Sequence, residues 1–570
     1  MTSTEHTDVL VCGAGPVGLL TALGLSQQGI DTFLIEKRER ATQQMFGRAA
    51  ALFPRSVELL EQIHVAQDVL QTAFIARQGV TFKDGKRITN RGWHVVLPTV
   101  ASSFHNYAVN IRQKHIEDIL AHKYNSDYEK SVHFGWAITD YAIDKSLDDG
   151  YNITATITHI SLGNRTVRCK YLVGADGAQS SVRQLAGVAM EGDETTYKWI
   201  RIDGKVKTDM PDHNAGYAAI ESNTHGTVLW IKLDGDAHRV GFAIPPHLQE
   251  KYPEGPNEAE VIKEAIGAVL AFKLEFERVD WWTYYSIKQK VASTMQKDNY
   301  VLLGGDAAHT HSSGLAQGLN TGIHDATNLV WKLAGTLKGW YKDDVLSTYA
   351  SERREIAKRL IALDKLVAAT ISGDIPVAYT QSETNPDEVL KKLILQNAGF
   401  TTALGIEYQK SVINKDTNIG NIVAGTRAED SLIYQPGPLV PIRLHYLLNE
   451  ESQGRWSVLI FVGHASRNGG KIAALRTRLA SDMGYLAGAP FLNMLTIVAG
   501  SIPGAWDAFD GPAVGKLYLD KDFTAHDRYG ITYENGGIVV VRPDGILAYS
   551  SPLDGLDDSK EFFTGFCNSI

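Results

Sequence analysis

The run Asp8-Val9-Leu10-Val11-Cys12 is apolar over the length of a strand, and glycines at 13, 15 and 18 follow it directly. Beyond them Leu19, Leu20, Ala22, Leu23 and Leu25 fall in a helical pattern that Gly29 closes. Thr32-Phe33-Leu34-Ile35 then reads as a second strand with Glu36 at its carboxyl end. Two later apolar runs end in the same way. Tyr171-Leu172-Val173 leads into Gly174-Ala175-Asp176-Gly177, and Tyr300-Val301-Leu302-Leu303 leads into Gly304-Gly305-Asp306-Ala307. A glycine-rich stretch at 314–320 follows the second of these and opens a helix that runs through Leu333. Between the two aspartates, residues 195–245 alternate and carry turns such as Asp234-Gly235-Asp236, which predicts an antiparallel sheet. Past residue 400 the pattern changes again, with strands expected at 456–462, 514–519 and 537–541 and helices near 471–482 and 557–567. The expected class is α/β, with a first domain over 1–190, a sheet domain over 191–290, a return to the first domain over 291–400, and a C-terminal domain over 401–570.

Composition narrows the partners. The 570 residues exceed one ordinary core, and 44% hydrophobic with 21% charged residues is a globular balance. A net charge of −9 argues against nucleic acid or a polybasic membrane contact. The chain has no apolar run of the ~20 residues that span a bilayer, and residues 1–7 leave no room for a signal peptide. Cys12, Cys169 and Cys567 are too far apart for a metal cluster and read as buried small hydrophobes, which fits a reducing, cytoplasmic setting with no metal site.

The strand–turn–helix context gives the glycines a chemical meaning. Gly13 permits the tight turn, Gly15 lets backbone approach a pyrophosphate, and Gly18 lets helix and strand pack closely. With Pro16 and Val17 they make a helix N-terminus whose free N–H groups suit phosphate. Glu36, with Lys37 beside it, can accept hydrogen bonds from ribose hydroxyls and would repel a 2′-phosphate, so FAD or NAD fits better than NADP. Asp176 and Asp306 each end a strand beside small residues, and Asp306 is placed to hold a ribityl hydroxyl. The N–H groups after Gln317, at Gly318, Leu319 and Asn320, open a helix and suit the electron-rich edge of an isoalloxazine.

Three such fingerprints in this order, GxGxxG, DG and GD, resemble those of the FAD-dependent aromatic hydroxylases, the group A flavoprotein monooxygenases, over residues 5–360. The resemblance implies a Rossmann-like FAD-binding domain with an inserted antiparallel sheet that forms the substrate pocket. It implies further FAD contacts at Arg48 and at Arg112-Gln113. The C-terminal part resembles the thioredoxin-like domain of the phenol hydroxylases; without a Cys-x-x-Cys it is expected to stabilise the protein or form a homodimer. The implied reaction uses NADPH or NADH and O2 to hydroxylate an aromatic, phenolic substrate through a flavin C4a-hydroperoxide. No second GxGxxG follows a strand, which favours transient docking of NAD(P)H.

On the substrate side the candidates are aromatic. Tyr217 and Tyr285 are preferred because a phenol can both pack and hydrogen-bond; Trp230 and Phe242 are further pocket candidates, and His225 is a candidate base. Three departures from the family pattern thin this reading. Ala50 stands where phenol hydroxylases carry an acid, Leu233 where they carry an arginine, and Ser313 where many members have proline. Epoxidation, oxygen insertion or oxidative removal of a ring substituent on a polycyclic, polyketide-like substrate is the alternative. A non-catalytic FAD-binding protein is the alternative of another class.

Overall fold

The computed structural model describes residues 4–42, 49–416, 419–449, 454–481 and 488–568. The first sheet runs in the order Gln296–Lys297, Val301–Leu303, Gly163–Gly174, Glu5–Cys12, Thr32–Glu36, Val132–Phe134, parallel along this path except at its first strand, with Ile153–His159 and Trp136–Ile143 added antiparallel beside Gly163–Gly174. Its central strands are apolar on both faces, as a sheet covered by helices requires; Val9, Leu10, Val11, Leu34 and Leu172 have no exposure. The register aligns Cys12 with both Gly174 and Ile35, and Gly174 with Leu303. That alignment brings the glycine turn, Glu36, Asp176 and the Gly304-Gly305-Asp306 turn to one carboxyl edge, where open α/β sheets bind their ligands.

The second sheet is ordered His309–Thr310, Leu274–Ala292, Met190–Thr208, His238–Ile244, Gly226–Lys232, Gly216–Ser222, Gln78–Lys83, Lys86–Ile88. It is antiparallel except where Gln78–Lys83 joins Gly216–Ser222 in parallel. The sheet therefore extends beyond the expected 191–290, because a hairpin from the first 100 residues completes it.

Its two faces differ by parity. Ile200, Ile202, Ala218, Ile220, Val228, Trp230, Val240 and Phe242 share an outer core with Val261 and Ala265 of helix Glu258–Ala268. The odd-numbered positions between them face inward. Trp199, Ala243 and Ile287 pack with Ile356, Leu360 and Leu363 of helix Asp343–Ile371, and Ile231 and Leu233 pack with Ala50.

The third sheet is ordered Pro441–Arg443, Leu432–Tyr434, Lys516–Asp520, Leu492–Ala499, Trp456–Gly463, Gly537–Val541, Leu547–Ser551. Its three central strands are parallel and are continued by an antiparallel hairpin, the thioredoxin-like arrangement. It joins the rest through ion pairs, two of them buried and that of Arg443 partly so. Arg427 holds Glu58 at 2.7 and 2.9 Å, Arg443 holds Glu61 at 2.7 Å, and Arg542 holds Glu352 at 2.7 and 3.0 Å. No helix of the described residues is long and apolar enough to cross a membrane. Among them no group of three or more His, Cys, Asp or Glu could hold a metal ion.

Candidate active site

The three glycines of the first turn have three distinct surroundings. Gly13 has φ +100° and donates its N–H to Ile35 O at 2.8 Å; a Cβ on it would lie 2.4 Å from Ala175 O. A Cβ on Gly18 would lie 1.8 Å from Gly13 O. Gly15 has nothing within 4 Å of that position, so its open side faces the cleft. It caps helix Pro16–Gln27 without a side-chain hydrogen bond, which leaves the first N–H groups for a ligand. Val17 points the other way and wedges against the second aspartate turn: a Cβ on Gly305 or Gly322 would come within 2.7 or 2.6 Å of its methyl group. Glu36 accepts from Ala14 N and from Arg38 N, each at 3.0 Å, and a carboxylate has lone pairs left for a diol. Lys37 beside it is exposed.

The two aspartates differ in their engagement. Asp176 Oδ2 accepts from Ser181 N at 2.7 Å and Val182 N at 3.1 Å and so anchors the following short helix, while its Oδ1 is buried with no partner among the described residues. Asp306 is exposed at the strand end and is bonded to no described residue. The turn that presents it is fixed from behind. Asp325 accepts from Gly305 N at 2.9 Å, from His309 Nε2 at 2.8 Å and from Arg353 Nε at 2.7 Å, all fully buried. Burial works to raise the Asp325 pKa, but Arg353 and His309 hold it well below the usual carboxylate range. Arg183, on the helix after Asp176, donates to Ala307 O at 2.9 Å and ties the two aspartate turns together.

Helix Gln317–Leu337 starts from Ala316 in the left-handed region, with no side-chain cap. Gly318 is open on its Cβ side, and Leu319 is buried. Gln317 and Asn320 offer backbone only. The Gln317 amide donates to Leu315 O and Thr401 O, and Asn320 exchanges hydrogen bonds with Phe53 N, Ser56 Oγ, Ala51 O and Ala316 O.

Several predicted residues have different surroundings from those expected. Arg112 is committed to the sheet domain: it pairs with Asp234 at 2.5 and 2.8 Å and with Asp280 at 2.9 Å. Although burial favours the neutral acid, hydrogen bonds from His115 and Arg112 keep Asp234 well below the usual carboxylate range. The guanidinium is thus a buried brace between domains, and its use as a free FAD contact is corrected accordingly. Gln113 donates to Glu117 at 2.8 Å. Arg48 lies outside the described residues.

Parity sorts the substrate candidates. Trp230 and Phe242 belong to the outer core, where Trp230 donates its indole N–H to His213 O at 2.9 Å. His225 stacks edge-on with Phe242 and pairs with Glu264 at 3.1 Å, also on the outer side. These three are corrected from pocket and base to packing, because the sheet stands between them and the cleft. Tyr217 and Tyr285 face inward. Tyr217 donates to Asn110 Oδ1 at 2.5 Å, and burial pushes its phenol pKa far up, so it is no base at neutral pH. Tyr285 shares a 2.5 Å hydrogen bond with Ser313 Oγ.

Arg201, Asp325 and Arg353 were not expected at the site, and Ser313 stood out only as a departure from the family pattern. Arg201 is 3% exposed and donates to Ser313 Oγ at 2.9 Å and to Ile200 O at 3.0 Å. Burial pulls its pKa down. The available signal was an arginine at an inward position of a strand whose neighbours are Ile200 and Ile202. Asp325 carried none, since a charge on a helix reads as a solvated face, while Glu352-Arg353-Arg354 resembles the family's segment after the GD helix and reads as structural.

An FAD molecule fits the donors and acceptors that remain open at this edge. Gly15 and Gly318 leave room for close approach, two helix N-termini have no side-chain cap, and Asp306 and Asp176 Oδ1 have no partner among the described residues. Comparison with known proteins agrees. Residues 6–364 match the family model described as FAD binding domain, and residues 501–570 match the phenol hydroxylase C-terminal dimerisation domain. The chain is 27% identical over 598 residues to a phenol 2-monooxygenase of Aspergillus fumigatus, covering 99% of this chain and 97% of that one. It is 26% identical to a 3-hydroxybenzoate 4-monooxygenase of Comamonas testosteroni, covering 99% and 95%. Among solved structures, aklavinone-11 hydroxylase in complex with FAD and aklavinone superposes with a TM-score of 0.72 at 20% identity, covering 99% of each chain. The anhydrotetracycline hydroxylase OxyS from Streptomyces rimosus superposes at 0.71 with 23% identity, covering 99% of this chain and all of that one. The chain belongs to this FAD binding domain family, as a FAD-dependent monooxygenase of the group A aromatic hydroxylase type with a phenol hydroxylase C-terminal domain.

Proposed function

We propose that this monooxygenase hydroxylates an aromatic ring carrying a hydroxyl group, with NADPH or NADH and O2 as co-substrates, as a homodimer in the cytoplasm. The observation that carries the reading is the inward face of the second sheet, which sets polar groups against the loop between Asp306 and helix Gln317–Leu337. Bound FAD supplies the electrons taken from NAD(P)H and the activation of O2. The chain's part is to bind and position. The glycine turn, Glu36 and Asp306 would hold the cofactor's phosphates and hydroxyls, and the N-terminus of helix Gln317–Leu337 would stabilise negative charge on its ring edge. The sheet would hold the substrate ring in a near-attack geometry, about 3–3.5 Å from the transferred oxygen. Its apolar wall would exclude water.

A polycyclic ring system is the size class favoured. The inward position Ala219 is small, and Ala50 lies in an apolar cluster with Ile231 and Leu233 where phenol hydroxylases carry an acid. The aklavinone and anhydrotetracycline hydroxylases are similar over nearly the whole chain. The same wall also admits epoxidation or oxygen insertion on such a scaffold. The test is a screen of mono- and polycyclic hydroxyaromatics for stimulated NAD(P)H oxidation, with mass spectrometry of products. We expect stimulation and a product heavier by one oxygen. A holoenzyme that ignores the whole panel would sink the reading, and a non-hydroxylated oxidation product would favour the alternative.

A further inference from the structure

Resting on that reading, we propose that Arg201 is the oxyanion-binding residue of the substrate pocket, so that the substrate is a hydroxyaromatic bound with its ring hydroxyl ionised. Arg201 is a buried cation with no carboxylate within ion-pair distance among the described residues. The protein is built round it. Gly241 stands opposite Arg201 in the register, and a Cβ there would lie 2.6 Å from the Arg201 side chain, so the glycine makes the space the guanidinium occupies. The guanidinium carbon also lies 4.8 Å from the Trp199 ring centroid. Its NH2 reaches Ser313 Oγ, which also meets Tyr285 OH, so a cation and two hydroxyls converge on the loop that follows Asp306.

The nearby charges are already engaged. Asp203 pairs with Arg239 at 2.7 and 2.8 Å, and Asp364, behind the loop, accepts from Ser312 N and Oγ and from Gln289. A buried charge without a counterion is costly, and such positions are kept where a ligand completes them. A second orphan points the same way. The indole N–H of Trp93, packed against the cluster that contains Trp199, is buried without a partner among the described residues.

The chemistry explains a departure seen in the sequence. Ala50 replaces the acid that acts on a phenolic proton in related hydroxylases, Tyr217 is too weak an acid to serve, and His225 lies behind the sheet. A phenol bound beside a buried guanidinium needs no dedicated base: its proton passes to solvent on binding because the cation favours the phenolate. The ionised oxygen makes the ring electron-rich where oxygen transfer requires it.

The test is a spectrophotometric pH titration of 4-nitrophenol and alizarin, which change colour on ionisation, bound to oxidised holoenzyme without NAD(P)H. In wild type the apparent pKa of the bound probe should fall by about 1–3 units, the effect of an opposite charge at close range. Arg201→Gln should abolish the fall, and Arg201→Lys should keep part of it. A bound probe with an unshifted or raised pKa in wild type overturns the proposal even if no variant folds. So does full retention of the shift in Arg201→Gln, or failure of both probes to bind an FAD-loaded protein. The broader reading is tested separately: a lowered probe pKa without any stimulated NAD(P)H oxidation supports the oxyanion site and sinks hydroxylation. Turnover of hydroxyaromatics with an unshifted probe leaves hydroxylation standing and removes Arg201 from it.

Discussion

Single residues at the dinucleotide edge separate binding from folding. A Cβ on Gly18 collides with Gly13 O, whereas a Cβ on Gly15 enters open space. Gly18→Ala should therefore destabilise the apoprotein by about 1–3 kcal/mol or more, the usual cost of overpacking. Gly15→Ala should leave apoprotein Tm nearly unchanged and weaken FAD binding. A thermal melt and a flavin titration on both variants check this, and equal loss of Tm in the two would refute the assignment. Asp306, exposed and unpartnered, makes the converse case. Asp306→Ala should weaken FAD by roughly 10-fold to 100-fold, the worth of a hydrogen bond to a charged group. Full flavin occupancy in that variant would count against its role.

The elements explain how much of this was legible in the chain. Phosphate and ribose recognition is local, since one strand, one turn and one helix carry it. The proposed contacts at residues 13–18, Glu36 and Asp306 accordingly stand out in short stretches of the chain, each a strand end beside glycines or a carboxylate. The substrate wall depends on which side of a strand a residue takes. Trp230, Phe242 and His225 were selected by residue type, while Ile200, Val228 and Val240 already marked the even positions as the outer core. The long-range braces were not legible at all. Arg112 and Asp234 are 122 positions apart, and nothing in either segment names the other. Helix Asp343–Ile371 shows a related economy. Glu352 on it pairs with Arg542 of the C-terminal domain, and the next residue, Arg353, pairs with Asp325 behind the Asp306 turn. Breaking a buried pair costs on the order of 3–5 kcal/mol. Arg353→Met should thus release FAD at a lower urea concentration than wild type, although Arg353 is remote from the open cleft; unchanged flavin release would uncouple the helix from the turn.

At the scale of the whole molecule, buried charges and buried neutral histidines set the response to pH. Burial pushes His238 down to about 3, with Lys232 and His213 adding to it, and burial also lowers His324 and His445. The folded protein keeps these rings neutral while the unfolded chain protonates near pH 6.5. Stability should therefore decline as pH falls below about 6.5, by about 1.4 kcal/mol per pH unit for each such ring. Asp325 and Glu352, held ionised by their partners despite burial, add a further loss below about pH 4. A Tm that stays flat between pH 7.5 and 5 would contradict this. The ion pairs Arg427–Glu58, Arg443–Glu61 and Arg542–Glu352 also make the domains interdependent. A chain cut at residue 400 removes one arginine from each of three acids, leaving Glu58 with Arg55, Glu61 with His105 and Glu352 with Lys332, and it should hold FAD less well in solution. Gel filtration with a flavin spectrum is the check.

The alternation of the second sheet has a practical use in enzyme engineering. A library that varies only Tyr217, Ala219, Leu229 and Ile231 samples the inward wall, because the intervening even positions belong to the outer core. Gly241 stays fixed, since any side chain there meets Arg201. Four randomised codons keep such a library small, and the outer core on the even positions stays intact.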